Sequence, residues 1–123
     1  MFIIYNPWLF RLMHQPPMGM ALYPFVLLRR RSDRNNLRLL NHEKIHLRQQ
    51  IELLILPFYV LYVGHYLYNR IFRNKNHYEA YYDIFFEREA FEKEDDFDYL
   101  KKRKPWASFT YLKRKNFEKG QKK

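Results

Sequence analysis

The chain has 123 residues, 47% of them hydrophobic and 20% aromatic, with a formal net charge of +10 and no cysteine. One domain with a modest core is the expectation at this length, and disulfides and thiolate metal sites are excluded, so any metal must be held by His, Asp or Glu. The charge is unevenly placed: residues 101–123 hold ten Lys or Arg and one acid, whereas the first hundred residues carry 13 basic and 12 acidic groups.

Residues 1–14 are apolar, without the basic start or long apolar run of a cleaved leader. Gln15-Pro16-Pro17 then interrupts the chain. Residues 21–28 (ALYPFVLL) read as a strand, and Pro24, which cannot donate to a ladder, assigns it to a sheet edge. Arg29-Arg30-Arg31 marks an exit to solvent, and Ser32 or Asp33 is a suitable N-cap. Residues 34–56 contain neither Gly nor Pro and carry apolar side chains at helical spacing, so they read as one helix that Pro57 ends or kinks.

A second helix follows over 58–72. The 17 residues from Leu53 to Asn69 carry no Asp, Glu, Lys or Arg. They include Pro57, Gly64 and His65, and a spanning helix needs about 20 mainly apolar residues, so the segment reads as buried or interfacial, with a membrane span as the lesser alternative. Asn76 and Glu79 have capping-box spacing, which opens a third helix over 77–100. The fold class is therefore mainly α with a small N-terminal β element (α+β). A domain over residues 1–100 is followed by a basic aromatic tail over 101–123.

His42-Glu43-Lys44-Ile45-His46 lies in the middle of the first long helix. There, H-E-x-x-H places two imidazoles on one face, one turn apart. Together they can bind zinc, with Glu43 beside the metal as a general base. A third ligand is required. His65 follows His46 by 19 residues; in a continuous helix that is about 28 Å, so it needs a sharp turn at Pro57. Glu87 shares a helix face with Ala80, Ile84, Ala90 and Phe91, where a carboxylate needs a partner. Glu89 sits nearer the boundary of that face. The competing account of Glu87 is a salt bridge to an arginine such as Arg48.

His42-Glu43-x-x-His46 with Glu87-x-x-Ala90 resembles the paired H-E-x-x-H and E-x-x-A helices of gluzincins: CAAX-prenyl-type endopeptidases, BlaR-type membrane sensors and ImmA/IrrE-type regulators. The phrases NHEKIHLRQQ (41–50) and FEREA (86–90) also resemble a group of small bacterial zincin-like proteins, over most of residues 18–105. The resemblance implies a minimal zincin-like helical domain with His42, His46 and Glu87 as Zn2+ ligands. Glu43 would be the catalytic base, and Ala90 the small residue that lets the helices pack closely. It also implies peptide-bond hydrolysis on a peptide or protein substrate held along the edge strand. One departure stands out. The prenyl-type and BlaR-type pattern continues with Asp, and here that position is Phe91, so the carboxylate that orients a ligand histidine is either missing or supplied from elsewhere, with Asp83 as the candidate. His65, His77 and several tyrosines are candidates for stabilising an oxyanion.

The tail, with Trp106, Phe109, Tyr111 and Phe117 among its bases, suits an anionic membrane surface. Nucleic acid is a weaker fit, because the body lacks a charged face and any nucleic-acid motif. These features point to a cytoplasmic protein, peripheral on the inner face of the membrane. The alternatives to a peptidase are an inactive zinc-binding or structural protein acting at a membrane or with a protein partner, and a basic nucleic-acid-binding protein.

Overall fold

The structure is a computed structural model that describes residues 2–12 and 18–113. Three short strands, β1 (Phe2–Tyr5), β2 (Gly19–Leu22) and β3 (Phe25–Leu28), precede five helices: α1 (Leu37–Glu52), α2 (Leu56–Ile71), α3 (His77–Tyr82), α4 (Phe85–Lys93) and α5 (Tyr99–Lys102). Turns of 3-10 helix occupy Trp8–Leu12, Arg31–Asn35 and Ala107–Lys113. The architecture is mainly α with a small N-terminal sheet, as the sequence indicates.

The sheet has the order β1-β3-β2, with β1 parallel and β2 antiparallel to β3. Residues 21–28 are therefore a hairpin rather than one edge strand. Pro24 sits with Tyr23 in the two-residue turn, where a fixed φ and a missing N–H cost nothing. The second half of the run, β3, is central, and the first half, in β2, is one of the sheet's two edges, β1 being the other. Ala21, Val26 and Leu28 pack with Leu47, Leu39 and Leu40 of α1, which fixes the sheet on that helix. Arg29 N–H donates to Met18 O. In an antiparallel ladder, alternate residues face the partner strand, so Gly19 and Ala21 direct their backbone groups away from β3.

The expected helix over 34–56 is shorter at both ends. Asp33 does not cap it; its carboxylate turns back to Arg30. Asn36 caps instead, its Oδ1 accepting from Leu39 N–H at 3.1 Å. At the other end the chain leaves the helix after Glu52 through Leu54 (φ 60°) and Ile55 (φ 41°). Pro57 starts the next helix rather than ending this one, because the first turn has no use for its N–H. The axis turns by 115° between α1 and α2, which folds α2 back over the face of α1 that carries the histidines.

The expected helix over 77–100 is three pieces. Its capping box forms: Glu79 N–H donates to Asn76 Oδ1 at 2.9 Å and Asn76 N–H to Glu79 Oε1 at 3.2 Å. The break falls at Asp83, whose carboxylate is claimed by Arg73 and Arg88, and at Ile84, which is extended. The first N–H of α4, on Phe85, donates to His65 Nδ1 at 3.1 Å. The packed body also continues past residue 100. Arg103, Ser108 and Tyr111 are buried, and Tyr111 joins Phe58, Ile84, Phe85 and Phe86 in a core cluster with Phe109 at its edge. The remainder of the expected tail, 114–123, lies outside the described residues.

Candidate metal centre

Helical spacing on α1 brings the rings of His42 and His46 to 4.9 Å, edge to face. Helix α4 packs across them through Ala90 against Ile45, both fully buried, and this delivers Glu87. Glu87 Oε1 lies 3.0 Å from His42 Nε2 and 3.1 Å from His46 Nε2. All three side chains are buried, and one ligand atom from each falls within 4.8 Å of the others. Tetrahedral zinc with bonds near 2.0–2.1 Å separates its donors by about 3.3 Å, so the observed spacings are close to those of a loaded site.

The other two candidates for third ligand are engaged elsewhere. His65 uses its Nδ1 to accept from Phe85 N–H. Glu89 is fully buried but ion-paired with Arg103 and hydrogen-bonded by Tyr99 and Gln49. Glu87 is not paired with an arginine; its partners are the two histidines and Tyr62, whose hydroxyl donates to Oε2 at 2.5 Å.

The ring orientations fit a metal. Gln49 donates its amide to Phe86 O and Glu89 Oε1, which turns its carbonyl toward His46 Nδ1 at 2.7 Å. Nδ1 must then carry the ring proton, leaving the lone pair on Nε2. That Nε2 is buried without a hydrogen-bond partner, because Glu87 Oε1 lies off the line a hydrogen bond requires. A buried lone pair facing a carboxylate oxygen calls for a cation between them. His42 is oriented in the same sense: Nδ1 donates to Glu94 Oε1 at 2.8 Å, and Glu94 is held from behind by Arg38 at 2.7 Å.

Electrostatics say the same. Burial alone would depress the His42 pKa, yet hydrogen bonds from Glu87 and Glu94 outweigh it and push it up to about 10. His46 also titrates above its ordinary value: burial opposes this, and the charge of Glu87 prevails. For Glu87, burial is overcome by His46 and His42, and its carboxyl is held well below the usual carboxylate range. The three groups together attract positive charge, whether protons or a metal. Glu43 differs: burial raises it despite both histidines, the direction that suits a proton acceptor working near neutral pH.

Glu43, His46 and Glu87 share a cavity of about 240 Å³ with Gly19, Met20 and Ala21 of β2, with Phe58, Tyr59 and Tyr62 of α2, and with Tyr81. A side chain at Gly19 would meet Leu27 O at 3.3 Å and Glu43 Oε2 at 3.5 Å, so the glycine permits the edge strand to lie against the carboxylate. The wall is fixed by Gln50 and Tyr59, which both donate to Ala21 O.

Sequence reasoning assigned the missing orienting carboxylate to Asp83. The structure corrects this: Asp83 pairs with Arg73 and Arg88, and Glu94 holds His42. Glu94 is seven residues beyond Glu87, two turns along the same helix face, so the spacing carried the signal. Gln49, one turn after His46, was legible in the same way. Phe91, at the position of the expected aspartate, packs edge-on against His42 at 4.5 Å. His77 lies away from the cavity against Tyr66, and Tyr59, Tyr62 and Tyr81 are the tyrosines that reach it. The position of Tyr59 and Tyr62 on α2 depends on the 115° bend, which no spacing encodes.

Fold and site together define a small, mainly α protein with a buried His2Glu group that could hold a metal ion. No protein-family model, curated protein or solved structure matches the chain.

Proposed function

We propose that the protein is a zinc-dependent hydrolase of the metallopeptidase type, with Zn2+ held by His42, His46 and Glu87 and with Glu43 as the general base. The observation that carries this reading is the shared cavity, in which His46 and Glu87 of the His2Glu group, a buried glutamate of raised pKa and the backbone of an edge strand face one space. Two imidazoles and a carboxylate, with no thiolate available, match the donor set of catalytic zinc.

Zinc at this position supplies Lewis acidity toward a carbonyl and toward water. The chain's own residues do the rest. Glu43 takes a proton from the attacking water and passes it to the departing amine. An extended peptide adds to the outer edge of β2 at Gly19 and the Ala21 N–H, which face away from β3, while the Ala21 carbonyl is taken by Gln50 and Tyr59. The aromatic wall of Phe58, Tyr59 and Tyr62 selects an apolar side chain next to the bond. Tyr62 and Tyr81 hold Glu87 in place.

The test is hydrolysis of a quenched-fluorescent peptide library by the zinc-loaded protein and by Glu43→Gln. Loss of about 10²–10⁴-fold in rate at unchanged zinc content is expected for a general base. A zinc-loaded protein that cleaves nothing would favour the zinc-binding structural alternative.

A further inference from the structure

We propose that the outer face of α2 docks on anionic lipid bilayers. The helix lines the metal cavity with one side and turns an uncharged apolar side to water. Leu56, Val60 and Ile71 are 73%, 64% and 68% exposed, and Leu61, Val63 and Leu67 lie with them on the same half of the helix. Leu54 before the helix and Phe72 after it extend the patch, at 78% and 76% exposure. A helix face in contact with water is ordinarily polar. Contiguous apolar patches beyond a few hundred Å² mark interaction sites.

Charge identifies the occupant. No Asp or Glu occurs between Glu52 and Glu79, and the charges in that stretch are Arg70, Arg73 and Lys75, all basic and all near the C-terminal end of α2; Arg73 is paired with Asp83, so Arg70 and Lys75 form the cationic edge. Arg70 is exposed there. An apolar face edged by cations matches acyl chains beneath anionic headgroups. A second copy of the chain would bring the same cationic edge to this surface and not a complementary acidic one. Among the described residues no single helix is long and apolar enough to cross a membrane, although α1 and α2 together meet the length and composition of a bent span; the proposal has α2 lie in the interface. Docking would set the cavity at headgroup level. The inference concerns the outer face of α2 and stands whether or not the cavity hydrolyses peptides.

The experiment is co-sedimentation of the full chain with vesicles of phosphatidylcholine containing about one-third phosphatidylglycerol, and with vesicles of phosphatidylcholine alone. The expected result is binding to the anionic vesicles, with a loss of about tenfold or more in Val60→Glu/Leu67→Glu. Both sites are exposed, and an unchanged far-UV spectrum and zinc uptake verify that the variant folds. In Val60→Trp, emission should shift to the blue on anionic vesicles beyond any shift of the wild type. The proposal is overturned by absence of binding, by a double variant that binds as well as wild type, or by an unshifted Val60→Trp. It is equally overturned if the wild type is a dimer that ignores vesicles and the double variant is a monomer.

Discussion

Glu87 and Glu89 stand two residues apart on α4, both essentially excluded from water, and they are satisfied in opposite ways. Glu89 is closed off by the chain itself: Arg103 pairs with it and with Glu52, while Tyr99 and Gln49 supply further hydrogen bonds. Glu87 meets no guanidinium. It faces two imidazoles whose far nitrogens are already committed to Glu94 and Gln49. A buried carboxylate that is given its own cation is architecture. One that is given two imidazoles instead, His42 among them holding a proton that can be displaced, forms with them a group that could hold a metal ion. Gln49 links the two clusters, since the amide that donates to Glu89 is the one whose carbonyl orients His46.

The comparison can be broken most forcefully on the closed side. Arg103→Met leaves Glu89 charged and unpaired in the core, and we expect it to cost about 3–5 kcal/mol of stability, measured by urea unfolding. Zinc should still raise the melting temperature of this variant if it remains folded. On the open side the effects fall on metal rather than on fold. Glu94→Gln removes the carboxylate that orients His42 and should weaken zinc binding by about 10–100-fold, measured by competition with a chelating dye, with little change in the far-UV spectrum. A stability loss as large as that of Arg103→Met would instead make Glu94 part of the architecture.

The smallest effect is a slope. His42 is pushed up to about 10 in the metal-free protein, so it holds a proton at neutral pH that zinc must displace. Affinity should therefore rise by about tenfold for each pH unit from 7 toward 10. A histidine with an ordinary pKa near 6.5 would give a plateau above neutrality. Titrations in buffers of differing ionisation enthalpy would show the displaced proton directly.

The readable parts of the site were those fixed by local helical geometry. The two histidines and Glu43 follow from spacing on one helix, and Glu87 follows from a carboxylate placed on an otherwise apolar helix face. Glu94 and Gln49 obeyed the same spacing rules. Glu94 lies one turn beyond Phe91, the position at which the family pattern places its carboxylate. What spacing could not convey was long-range. Pro57 reads as a stop, yet the direction change is made by Leu54 and Ile55 at positive φ, residues with no turn chemistry of their own. Without that bend, Tyr62 and the α2 wall of the cavity are invisible, and His65 cannot be seen to serve α4 rather than the metal. The hairpin inside residues 21–28 was missed because an uninterrupted apolar run looks like one strand, although Pro24 marked the point where it turns.

The central claim is that Glu87, unlike Glu89, awaits a metal. Zinc stoichiometry by mass spectrometry of the purified protein, its His46→Ala and Glu87→Gln variants, and Glu89→Gln as a control tests it most directly. The account predicts one zinc per chain in the wild type, none in His46→Ala or Glu87→Gln, and retention in whatever fraction of Glu89→Gln is folded. A wild type that takes up no zinc, or a Glu87→Gln variant that keeps it, would contradict the account.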